Sequence, residues 1–115
     1  MDIRDLQQRL ATFAADRDWE QFHSPKNLAM ALAAEAGELL EVFQWLSEPQ
    51  SERLDADQHR AAAHELADIL IYLLRLADRL DVDLDAAVAD KMQINAGRYP
   101  VELARGNAVK ADRRS

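Results

Sequence analysis

A chain of 115 residues has the length of one domain, and we read 1–115 as a single domain. With 49% apolar and 30% charged residues it is too apolar for a disordered chain, and its net charge of −7 argues against a nucleic-acid binder that works by neutralising phosphates. No cysteine is present, which excludes a disulfide framework and a thiolate metal site, and no apolar run is long enough to span a membrane.

Alanine and leucine dominate and glycine is scarce, so helix is predicted throughout. Asp2 can cap a first helix whose apolar stripe is Ile3, Leu6, Leu10 and Phe13, fading near Asp18. In "SPKN", Ser24 is the expected N-cap of a second helix, with Pro25 at its first position. That helix runs to about Leu46. Glu48 to Asp57 is polar, contains Pro49 and reads as a loop.

A third helix is predicted from Gln58 to Leu80 and a fourth from Leu84 to Ala96, with Asp83 as N-cap and Gly97 as C-terminal cap. Pro100 bars simple continuation, and 101–115 are expected to be irregular. Arg105, Lys110, Arg113 and Arg114 gather there, as a solvated terminus or as an arm that closes over an anionic ligand. The acidic, amphipathic N-terminus and the lack of cysteine point to the cytoplasm, with no membrane partner.

The second helix poses a question. At ~100° per residue, Leu28, Leu32, Leu39, Val42 and Leu46 form a core-facing stripe, and Glu35 falls in its middle. Glu38 stands three residues on, and the third helix repeats the pattern with Glu65 and Asp68. Acids three apart are neighbours on a helix surface, so each pair can aim both carboxylates at one spot. If the two helices pack antiparallel, the pairs can face each other. Four converging carboxylates repel and are costly to desolvate, so they call for hard divalent cations with oxygen ligands, Mg²⁺ or Mn²⁺. For Glu65 and Asp68 a solvated face shared with Arg75 and Arg79 is an equally plain reading.

The third helix is apolar over most of its surface in "LADILIYLLRLADRL". Such a helix needs partners on more than one side, so an oligomer is expected. Di-iron chemistry is disfavoured. Its two Glu-x-x-His motifs are not present, since only Glu20 and His23 have that spacing, in a predicted loop. No Walker-type phosphate loop occurs either.

The arrangement Glu35-x-x-Glu38, 26 residues, then Glu65-x-x-Asp68 resembles the signature of the MazG-like all-α nucleotide pyrophosphohydrolases, most closely their dCTP pyrophosphatase branch. "RDWEQFHSPKNLAMALAAEAGELLEVFQW", "ELADILIYLLRLADRLDVDL" and "KMQINAGRYPVELARG" carry the likeness, over roughly residues 13–110. The resemblance implies an all-α helical bundle of about four helices, completed as a homo-oligomer, usually a tetramer. It implies Mg²⁺-dependent hydrolysis of a nucleoside triphosphate, dCTP or a modified deoxycytidine triphosphate, to monophosphate and pyrophosphate, cleansing the nucleotide pool.

By position, Glu35, Glu38, Glu65 and Asp68 would be the metal ligands and catalytic acids. Trp19 and Trp45 match the base pocket, and Tyr72, Lys91, Asn95 and Tyr99 match the ligand site. Arg98, Arg105 and Lys110 are lesser candidates for the phosphate tail. Leu10 departs from the branch, where a histidine stands before Phe13, so base preference stays open. "KADRRS" also lacks an aromatic found there. A dUTP or broad-specificity hydrolase on the same fold, or a non-catalytic helical scaffold, remain the rival readings.

Overall fold

The computed structural model describes residues 1–113; Arg114 of the basic tail lies outside the described residues. These are all helix, turn and short connection, with no strand among them. Six α-helices follow in order: α1 (Ile3–Asp16), α2 (Pro25–Phe43), α3 (Glu48–Ser51), α4 (Ala56–Arg79), α5 (Leu84–Arg98) and α6 (Val101–Ala104). Contacts divide the chain into two compact units, the first Met1–Asp81 and the second beginning at Val82. Among the described residues no helix is long and apolar enough to cross a membrane.

The helix starts are set by side-chain caps. Asp2 accepts from the Asp5 N–H, Ser24 from Asn27 with Pro25 behind it, and Asp83 from Ala86. Each satisfies a backbone donor that the first helical turn leaves without a partner. Asp55 opens α4 with a reciprocal arrangement: its carboxylate takes the Gln58 N–H at 2.8 Å, and the Gln58 side chain takes the Asp55 N–H at 3.0 Å.

Three boundaries differ from expectation. The segment read as a loop contains α3, because Ser47 and Gln50 form the same reciprocal cap and Pro49 fits in the first turn. Gly97 lies inside α5 rather than ending it; the helix runs to Arg98, and Pro100, which cannot donate, follows the Tyr99 C-cap. The region beyond Pro100, expected to be irregular, carries α6 and a 3₁₀ turn at Ala111–Arg113.

In the first unit α2 packs chiefly on α4, and α1 rests on α4 more lightly. Leu28 of α2 and Leu74 of α4 are the fully buried large side chains. Burying each contributes about 1.5–3 kcal/mol. Gln7 ties α1 to α4 by donating from Nε2 to the Leu74 carbonyl at 3.3 Å. This three-helix arrangement positions everything that follows.

Candidate functional site

Three of the four candidate acids on α2 and α4 meet. Carboxylate oxygens of Glu35, Glu38 and Glu65 lie within 4.8 Å of one another. Glu35 and Glu65 are half-buried, Glu38 exposed. Oε2 of Glu35 and Oε2 of Glu65 are both buried without a hydrogen-bond partner. Leaving a buried acceptor unmet costs its full desolvation, so these two oxygens lack something that a cation would supply. Among the described residues no basic side chain pairs with the three; the ion pair on α4 is Arg75–Asp78.

The electrostatics agree. The Glu35 carboxyl is raised above its ordinary 4.5, chiefly because Glu65 beside it favours the protonated form, then by burial and by the charges of Asp68 and Glu65. Glu38 is raised mainly because Glu35 beside it favours the protonated form, and by the Glu35 charge. In the absence of a cation the like charges at this distance make Glu35 and Glu38 harder to ionise than separate carboxyls. An all-oxygen set with unmet lone pairs fits a hard divalent ion.

Asp68 stands outside that mutual contact, yet its charge acts on Glu35, and it also lines the adjoining cavity. It therefore links the acids to the second feature of the site. Between α1 and α4 lies a cavity of about 330 Å³, lined chiefly by Leu10, Phe13, Trp19, His23, Tyr72 and Arg75. That volume is at the lower end of the range for small-molecule sites.

The cavity owes its aromatic wall to the end of α1. Asp18 adopts a left-handed backbone, φ 54°, which aspartate tolerates. The Trp19 N–H then reaches back to the Ala14 carbonyl at 2.9 Å and the Asp18 N–H to Ala15 at 3.1 Å, closing the helix end. This turn sets the Trp19 ring edge-on to Phe13, centroids 5.7 Å apart, and 6.3 Å from His23. Trp19 and Phe13 keep 43% and 47% exposure, so both rings have surface to offer a ligand. His23 is held below its ordinary 6.5 by burial and by the positive charges of Arg75 and Arg79, and its Nδ1 is buried without a partner.

Of the sequence candidates, the first unit gathers Glu35, Glu38, Glu65 and Asp68 around one region and sets Trp19 and Tyr72 in the adjoining cavity. Trp45 does not join them: it follows α2 in a turn, 86% exposed. Lys91 and Asn95 are exposed on α5 and Tyr99 is its C-cap, all in the second unit, where the Tyr99 hydroxyl accepts the Ala111 N–H at 3.2 Å. Phe13 and Arg75 were not among the candidates. Phe13 reads as core on an amphipathic stripe, and Arg75 reads as part of a solvated arc, whereas it is only 4% exposed.

The family model described as the MazG-like family matches residues 30–112, which include all four acids. The chain belongs to the MazG-like family. Curated relatives are similar over most of it: dCTP pyrophosphatase 1 of Rattus norvegicus is 51% identical over 110 residues, 94% of this chain and 65% of that protein. The Homo sapiens protein of the same name is 49% identical over the same span. This MazG-like chain thus covers a little under two thirds of those relatives' length. A pyrophosphatase from Archaeoglobus fulgidus DSM 4304, solved by crystallography, superposes with a TM-score of 0.80 at 38% identity, covering 84% of the MazG-like chain and 91% of its own.

Proposed function

We propose that the protein is a divalent-metal-dependent nucleoside triphosphate pyrophosphohydrolase, acting on dCTP or a modified deoxycytidine triphosphate, with Mg²⁺ as its ordinary ion and Mn²⁺ as a substitute. The observation that carries this reading is the convergence of Glu35, Glu38 and Glu65, with two buried and unpartnered oxygens, beside an aromatic cavity. The dCTP pyrophosphatase activity for which the relatives are named supports it.

Glu35, Glu38, Glu65 and Asp68 would hold the metal. When bound, a divalent cation supplies a Lewis acid that offsets phosphate charge and makes water more acidic. Trp19, Phe13 and Tyr72 take the base in the cavity, and Asp68 lies where the cavity meets the acids, so the triphosphate is directed to them. Water attacks the α-phosphorus in line, the bond from that phosphorus to the bridging oxygen breaks, and pyrophosphate leaves. We assign acceptance of the water's proton to Glu38, the exposed member of the cluster and so the one open to a water. For Lys91, Asn95 and Tyr99 the assignment to substrate rests on the sequence resemblance, as it does for Trp45.

The family match runs through both units, which supports treating 1–115 as a single functional domain. We further propose a homo-oligomer, a tetramer in the resemblance. Leu40, Leu66 and Leu73 of α2 and α4 are exposed in the isolated chain, as is Trp45, and a second copy would cover such surface. No nucleic acid or membrane partner is proposed, and the cytoplasm is the proposed compartment.

Incubating the protein with dCTP, dUTP, dTTP and dATP together tests the reading. Deoxycytidine triphosphate should disappear first with Mg²⁺, and EDTA should stop all turnover. Disappearance of dUTP first would favour the dUTP reading. Four intact nucleotides in the presence of Mg²⁺ would favour a helical scaffold, or a modified triphosphate absent from the mixture.

A further inference from the structure

Arg75 is the least expected side chain of the cavity. Arginine is almost never fully buried unless its charge is paired, yet Arg75 is only 4% exposed. Its pairing is thin. Nη1 donates to Asp78 at 3.3 Å, and that carboxylate is itself 46% exposed. Nε, on the opposite edge of the guanidinium, is buried with no acceptor at all. A buried donor left unmet is costly, more so on a charged group. Nothing in the first unit repays the cost, so a ligand acceptor is the natural partner.

The rest of the wall narrows what that ligand presents. Leu10, Phe13 and Ile71 offer no hydrogen bond and Trp19 one donor only, while Tyr72, His23 and Asp68 add polar groups elsewhere on the wall and leave Arg75 as its only cation among the described residues. Arginine carries donors and no acceptor, and its Nε and Nη2 form a planar edge that matches two adjacent acceptors. Among pyrimidines, cytosine sets two acceptors side by side, N3 and the 2-keto oxygen. Uracil and thymine place an N–H at position 3, which would meet the arginine donors head-on.

We propose that Arg75 is the base-reading residue of the cavity, donating through its Nε edge to N3 and the 2-keto oxygen of cytosine and so selecting it over uracil. This rests on the cavity being the base site of the proposed hydrolase. It gives the chain a means of reading cytosine without any polar contribution from Leu10. Discrimination of this kind is large because the wrong base leaves a buried charged donor facing a donor.

The test separates recognition from turnover. Binding of dCMP and dUMP is measured by tryptophan fluorescence, and kcat/KM for dCTP and dUTP by competition, in the wild type, Arg75→Ala and Arg75→Lys. The wild type should favour cytosine in both assays. Arg75→Ala should lose about 10- to 100-fold for the cytosine nucleotide and change less than about threefold for the uracil nucleotide. Arg75→Lys keeps a charge but not the planar edge, and should not restore the ratio.

A merely structural role would lower both nucleotides alike, so an unchanged cytosine-to-uracil ratio in Arg75→Ala overturns the proposal. If Arg75→Ala fails to fold, Arg75→Met fills the same volume and is read in the same way. Selective dCMP binding that Arg75 controls, without cleavage of dCTP, would uphold the base-reading role and sink the hydrolase. Cleavage of dCTP with a ratio indifferent to Arg75 would do the reverse, and a wild type that binds neither nucleotide overturns both.

Discussion

Glu35→Gln is expected to lower kcat by about 1,000-fold or more while the helical fold survives. Glutamine preserves the shape of the side chain and removes the charge. In the metal-free protein that charge is unwelcome: Glu35 lies beside Glu65, sits half-buried and feels the charge of Asp68. The metal-free variant should therefore melt at or above the wild-type temperature at neutral pH, because one source of repulsion is gone. Loss of activity together with equal or greater stability is the signature of a residue kept for chemistry. A scaffold with solvated acids has no turnover to lose. Activity within about tenfold of wild type would remove Glu35 from the reaction.

The second large effect is the response of stability to metal and pH. Mg²⁺ at about a hundred times its Kd should raise Tm by about 10 °C, since a ligand bound only by the folded state stabilises it by mass action. Glu35 and Glu38 are both raised above the ordinary 4.5. The folded state therefore holds their protons more tightly than the unfolded one does. Their contribution is complete below about pH 4.5 and drains away as pH rises through the raised values. Metal-free protein should lose stability over that rise, and the increment from Mg²⁺ should grow, because cation binding requires the deprotonated acids. Thermal melts from pH 4 to 8, with EDTA and with Mg²⁺, check both slopes. A metal increment independent of pH would place the ion elsewhere.

Most of the long helices are legible in sequence because their signals are local. Asp2, Ser24 with Pro25, and Asp83 announce helix starts through caps that form as expected. The acidic cluster is legible for a related reason: a carboxylate in the middle of an apolar stripe is a conflict within a single helix, and the second pair echoes it. α3 was hidden because four residues give no periodicity, and a proline that opens a helix looks like one that breaks it. Gly97 misled because a glycine is only available to end a helix, and here Pro100 enforces the stop instead.

The aromatic cavity was legible only in part. Trp19 could be suspected from its place after α1, but Phe13 and His23 become its neighbours through the left-handed turn at Asp18. Arg75 shows the deeper limit. On a helical wheel it shares an arc with Glu65 and Asp68, and a solvated face is the ordinary reading of such an arc. Arg75 is buried on the side of α4 that meets α1, whose Gln7 is bonded to the Leu74 carbonyl one residue before it, while Arg79 on the same arc stays exposed. No periodicity within α4 could have foretold it.

The most direct measurement is ³¹P NMR of dCTP incubated with the wild-type protein and Mg²⁺. Cleavage between the α- and β-phosphorus gives dCMP and pyrophosphate in equal amounts, with no orthophosphate, and none of it in the Glu35→Gln variant. Orthophosphate accompanied by dCDP would mean attack at the terminal phosphorus, and would contradict a pyrophosphohydrolase centred on Glu35, Glu38 and Glu65.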